Sequence, residues 1–348
     1  VKPLKYVQRG PKRTIRKGKE GEKFVKRLPL TVRRKMKIVG KVGKEDIAVV
    51  YIAETEKKKF VEFVESVQPP IPREEKWVLI VSTLFGCPVK CKICDAGGHY
   101  RGQLSKDEIF EQIDFLIGRY FPDKNIPIKK FKIQFARVGE PSFNNAVIEV
   151  LDELPKRYCA PGLMPCISTI APSGNEKFFE MLLEVKKKYY HRRFQLQFSI
   201  HTTDEDLRNW LIPVKKWGFE QIARYGKKFY ESGDRKIALN FALAKDMPVE
   251  PEVLLKYFDP ECFVIKITPV NPTLTAIQNQ ISSYIKSEID RYEIIDKLRE
   301  TNYEVIISIG ELEENQIGSN CGQYIYHYLN AGEKIETGYT YPIEYKKL

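Results

Sequence analysis

No apolar run in the 348 residues approaches the roughly 20 that a membrane-spanning helix needs, and the opening residues lack the apolar core of a secretory signal. These absences predict a soluble, cytoplasmic protein with no membrane partner. Cysteine is sparse and odd in number, seven in all. Three of the seven fall within residues 87–94, a usage that suits reduced metal or redox chemistry better than a disulfide frame. Repeats at solenoid periods are missing, and the composition, 43% hydrophobic and 30% charged, excludes collagen, coiled-coil and wholly disordered chains. What remains is a globular chain long enough for one large or two modest cores.

Charge is placed unevenly. Residues 1–44 hold 17 Lys/Arg against 2 Glu, so the whole +12 excess sits in the first eighth of the chain. A solvated tail is the plain reading. Basic charge confined to one end is also the footprint of an RNA-binding arm, releasing counterions from phosphates. The sequence divides into this arm (1–44), a β-hairpin and Pro-rich connector (45–76), a βα region (77–330) and a C-terminal tail (331–348).

Residues 47–53 and 60–67 are β-type runs joined by a polar turn, followed by the stiff connector Pro69-Pro70-Ile71-Pro72. From residue 77, apolar strand runs alternate with helical segments. Strands are predicted at 77–83, 130–138, 164–169, 194–201, 236–243 and 263–270, with a further run at 303–308 after a helix at about 283–301. Ser105 and Glu108 form a capping box that starts the first helix. Six strand-helix units predict an α/β fold, a partial (β/α)6 barrel, whose chemistry belongs at the C-terminal strand ends.

The first of those ends runs into Cys87, Cys91 and Cys94, spaced CxxxCxxC. Thiolates suit iron-sulfur clusters or zinc, and three on one short loop can share a centre. Structural zinc would want a fourth ligand, with His99 nearest; a cubane on three cysteines leaves one iron open to S-adenosylmethionine. This loop resembles that of the radical S-adenosylmethionine (SAM) superfamily, with Ile93 where an aromatic residue commonly stands. The resemblance implies a 4Fe-4S cluster and SAM as cofactors, and a flavodoxin- or ferredoxin-type electron donor.

Over about residues 60–325 the chain further resembles the adenine C2/C8 RNA methyltransferases of the RlmN/Cfr group. Tyr100-Arg101-Gly102-Gln103-Leu104-Ser105, Gly139-Glu140-Pro141 with Asn144, Ser168-Thr169, Ser199-Ile200-His201, Asn271-Pro272 and Asn320-Cys321-Gly322-Gln323 are similar to its motifs, in its order. The likeness implies that Gly139 and Glu140 receive the cofactor's amino group, and that Ser168, Ser199, Ile200, His201 and Asn271 complete its rim. Cys321 is then the methyl carrier and Glu65 the proton acceptor. A monomer acting on an RNA adenine, ribosomal or transfer, is expected.

Two departures stand out. The group's second essential cysteine falls at Ile80, a hydrocarbon incapable of thiol chemistry; Cys159, Cys166 and Cys262 are the remaining candidates. Its N-terminal accessory domain is reduced to the stretch from Leu28 to Lys35. Alternatives therefore stay open: methylene transfer, cyclisation or hydrogen abstraction on a small molecule or peptide, or an RNA-binding module with a structural metal.

Overall fold

The computed structural model describes residues 36–67, 69–285, 292–308, 312–319, 324–325 and 341–345. Lys35–Leu348 forms one compact unit; residues 1–35, with most of the basic arm, lie outside the described residues. Three strands, β1 (Lys37–Lys44), β2 (Ala48–Glu54) and β3 (Phe60–Ser66), make an antiparallel meander, and β3 pairs antiparallel with β4 (Lys76–Val81). The predicted hairpin is present as β2 and β3. It gains a third strand, β1, which begins inside the stretch read as the arm, so that stretch ends as sheet.

From β4 onward the pairing is parallel and sequential: β5 (Lys130–Phe135), β6 (Leu163–Thr169), β7 (Gln195–Ser199), β8 (Ile237–Leu243), β9 (Phe263–Pro269) and the short β10 (Val305–Ile307). Helices fill the crossovers: α1 (Lys106–Tyr120), α2 (Ala146–Arg157), α3 (Glu176–Tyr189), α4 (Glu205–Leu211), α5 (Phe219–Phe229), α6 (Pro251–Tyr257), α7 (Leu274–Gln278) and α8 (Glu293–Glu300). This is the predicted partial barrel. After it come α9 (Leu312–Ile317) and β11 (Glu344–Tyr345), the latter pairing with β1 and so bringing part of the predicted tail into the sheet.

Period-two alternation explains how one sheet serves two purposes. Trp77, Leu79, Phe131, Ile133, Leu196, Phe198, Leu239 and Ile265 face the helices in one large apolar core. Their neighbours face the other way, and there polar residues recur: Lys76, Lys132, Gln134, Ser168, Gln197, Ser199 and Lys266. Ser105 caps α1 as predicted, accepting from the Glu108 N–H while Glu108 accepts in return from the Ser105 N–H. Gln112 of α1 then grips both backbone groups of Ser82, at 2.9 and 3.0 Å, fixing the end of β4 where the cysteine loop leaves the sheet.

Candidate functional site

The cysteine loop is built on glycine. Gly86 sits at φ +77°, and a β-carbon there would lie 2.3 Å from the His99 carbonyl oxygen, so the residue type lets the two loop arms touch. The arms are tied by Phe85 N–H to Gly102 O (2.9 Å), Arg101 N–H to Phe85 O (2.7 Å) and Cys87 N–H to Ala96 O (2.7 Å). Across the barrel mouth, Asp95 accepts from the Leu274 and Thr275 N–H groups (3.1 and 2.8 Å), and Thr273 Oγ1 donates to Ile93 O (3.0 Å). The loop after β9, which carries Asn271, is thereby fastened to the loop after β4.

Cys87 is buried, Cys91 and Cys94 half-buried, and all three belong to one apolar cluster with Val89, Val138, Ile170 and Leu211. Burial pushes the Cys87 thiol up to about 11. Among the described residues no three His, Cys, Asp or Glu side chains are placed as a ready metal-binding group. The donor chemistry nonetheless fits an iron-sulfur cluster: three soft ligands on a pinned loop against a water-excluding wall.

Beside the loop, Gly139 has φ +107°, and a β-carbon would run into the Leu84 side chain at 2.5 Å. This turn presents Glu140, buried, whose carboxylate accepts from Thr169 Oγ1 (2.5 Å), the Ile170 N–H (2.9 Å), Ser142 Oγ (2.8 Å) and the Ser142 N–H (3.2 Å). Burial raises its pKa while these four donors oppose the rise. Glu140 thus ties the end of β5 to that of β6 through Thr169. Ser168 and Ser199 are half-buried on the inner face, opposite Gln197 and Asn240 respectively. His201, at φ +67°, accepts from the Ala242 N–H at Nδ1 (3.1 Å). Ile200 points its side chain into the helix-side core, leaving its backbone toward the strand ends.

No family model matches the chain. It is 24% identical over 258 residues to "Probable dual-specificity RNA methyltransferase RlmN" of Petrotoga mobilis, covering 72% of this chain and 69% of that protein. It is 31% identical over 217 residues to "Probable RNA methyltransferase" of Ectopseudomonas mendocina, 60% and 56% of the two chains. A crystal structure of a radical SAM methyltransferase from Sphaerobacter thermophilus superposes with a TM-score of 0.62, at 16% identity over 83% of this chain and 81% of that one. The chain is similar in sequence to the RlmN methyltransferases and shares the fold of a radical SAM methyltransferase.

Cys321 lies outside the described residues, yet its flanks do not. Arg137 and Glu62, both fully buried, pair at 2.9 Å between Nε and Oε1. Arg137 Nη1 donates to Gly318 O (2.9 Å) and Ser319 O (2.7 Å), while Glu62 Oε2 accepts from the Tyr324 and Ile325 N–H groups (2.7 and 3.1 Å). One ion pair therefore holds the chain on both sides of residues 320–323. Sequence reasoning missed it, because Glu62 on β3 and Arg137 just after β5 look no different from the neighbouring charged residues Glu65, Lys130 and Lys132.

Ile80 packs in the apolar cluster that includes Ile317, Tyr324 and Ile325, so the hydrocarbon stands beside those same flanks. Glu65 is elsewhere. Alternation turns it to the helix side of β3, where Tyr51 OH donates to it (2.7 Å), the Arg119 guanidinium pairs with it and Arg73 lies 3.8 Å away. The structure does not bring Glu65 together with the cysteine loop.

Proposed function

We propose that this enzyme transfers a one-carbon unit to an sp2 carbon of an RNA adenine, using Cys321 as methyl carrier. Cys87, Cys91 and Cys94 would hold a 4Fe-4S cluster, and SAM would lie along the inner strand ends, its amino group toward Gly139 and Glu140 and its remaining polar groups toward Ser168, Ser199, the Ile200 backbone, His201 and Asn271. When bound, the cluster supplies the electron that splits the sulfonium. Glu140, already gathering four donors, keeps the strand ends in register, and neutral His201 offers its remaining N–H. The observation that carries this reading is the pinned cysteine loop standing over a polar strand-end rim, in a chain whose relatives bear RNA methyltransferase names. The basic arm supports RNA as the substrate, reached in the cytoplasm with a flavodoxin- or ferredoxin-type donor.

The test is anaerobic reconstitution followed by incubation with SAM and reductant. Iron and sulfide should bind, 5′-deoxyadenosine should form, and mass spectrometry should find one methyl on Cys321; Cys321→Ala should keep cofactor cleavage and lose methyl transfer. An unmethylated Cys321 would sink the reading. Ile80 favours a second outcome of the same chemistry. With no thiol there, methylene transfer or ring closure on a non-RNA molecule replaces release of a methylated base, and nucleoside mass analysis separates the two. Cys166 bears on this choice. On β6 it faces inward, in one row with Ile80 and Gln134, whereas Cys159 is exposed and Cys262 packs toward the helices.

A further inference from the structure

The inner face of the barrel carries cations that the proposed chemistry does not use. Lys76 and Lys130 are the first residues of β4 and β5 and stand opposite each other, with Lys132 one pleat further, opposite Val78. They lie toward the N-terminal strand ends, away from the cysteine loop. Lys266 of β9 shares the inner face, and Arg235, just before β8, reaches Gln195 Oε1 there at 3.0 Å. Burial, with Lys132 next, holds both the Lys76 and the Lys266 amines down to about 8.

Counter-charge is scarce. Among the described residues Lys130, Lys132 and Lys266 make no ion pair; Lys266 has only the Gln197 amide oxygen at 3.3 Å. Lys76 differs, since Glu314, which also accepts from Ser66 Oγ (2.6 Å), bears on it. The same protein treats another lysine very differently: Lys186, 1% exposed, is matched by Glu231 at 3.0 Å and Asp234 at 2.5 Å. Crowded, partly desolvated ammonium groups without carboxylates are unfavourable unless a ligand supplies the negative charge. Lysine, a compact point charge with three donors, suits phosphate oxygens, and the amides of Gln134, Gln195 and Gln197 add neutral donors on the same face.

We propose that Lys130, Lys132 and Lys266 form a binding site for a polyvalent phosphate, whose oxygens take the place of the missing carboxylates. The phosphate is either a free polyphosphate group or part of an RNA strand. To test this, inorganic tripolyphosphate and a short single-stranded RNA are each titrated into the full-length protein by calorimetry, alongside thermal unfolding.

Wild type should bind one of the two saturably, and its Tm should rise with that ligand. K132M/K266M should bind about tenfold more weakly and show an unchanged or higher Tm without ligand, because unmatched charge has been removed. K227M/K228M, on the exposed end of α5, controls for net charge. A loss confined to tripolyphosphate identifies a free ligand; a loss confined to RNA identifies the strand. Equal affinities for K132M/K266M and K227M/K228M, or no binding of either ligand by wild type, overturn the proposal. Should the double variant not fold, Lys132→Gln alone carries the same comparison, with a loss of about threefold expected.

Discussion

His201 is held neutral by its surroundings: burial lowers its pKa from the usual 6.5 to about 4, with Arg208 nearby adding to the effect. Between those values the unfolded chain binds a proton that the folded chain refuses. Stability is therefore undiminished above pH 6.5 and declines as pH falls toward 4, by up to roughly 3 kcal/mol from this residue. His201→Asn keeps an acceptor near Nδ1 and tolerates positive φ; denaturant midpoints measured from pH 4 to 7 should be flatter for the variant. At Glu140 the expectation is a loss: Glu140→Gln turns one accepting oxygen into a donor facing donors, costing about 1–3 kcal/mol, read in urea at pH 7. Cys87, Cys91 and Cys94 were legible as one group because their spacing is local. Glu65 was legible only as a motif position, and the pleat that turns it toward Arg119 is a tertiary fact.

Between elements, the Glu62–Arg137 pair joins β3, the end of β5 and the segment from α9 to Ile325. Arg137→Met would strand a buried carboxylate and release two carbonyls, at a cost of about 3–5 kcal/mol; Arg137→Lys, keeping charge without the planar fork, should cost less. Urea unfolding measures both. A further consequence is checkable in the reconstituted enzyme: Arg137→Lys should methylate Cys321 more slowly than wild type while cleaving SAM at an unchanged rate. No local pattern announces this pair, because the partners are 75 positions apart and each looks like an ordinary polar strand residue. The elements themselves were readable. Every predicted barrel strand shows alternation or a continuous apolar run, and the capping box of α1 is complete within four residues. β1 escaped notice because Lys37, Lys41 and Lys44 made it look like more of the arm.

At the scale of the whole molecule, the deletion that tests RNA binding by the arm should remove residues 1–34 and stop short of β1, which is sheet. Without them, affinity for single-stranded RNA should fall and the salt slope should flatten by about 0.7 for each phosphate that the arm neutralises; binding with an unaltered slope would remove the arm from the RNA interface. The antiparallel meander and the barrel share one sheet, so the hairpin read as a separate region is continuous with β4. Among the described residues that sheet is eleven strands wide, yet its borders are stubs: β10 has three residues and β11 two. β11 covers only Gly40 and Lys41 of β1, so protection of that border falls to its exposed Lys37, Lys41 and Lys44, whose charges repel the strand of a neighbouring copy. The protein should therefore resist edge-to-edge fibril growth when concentrated or warmed, despite so much β structure.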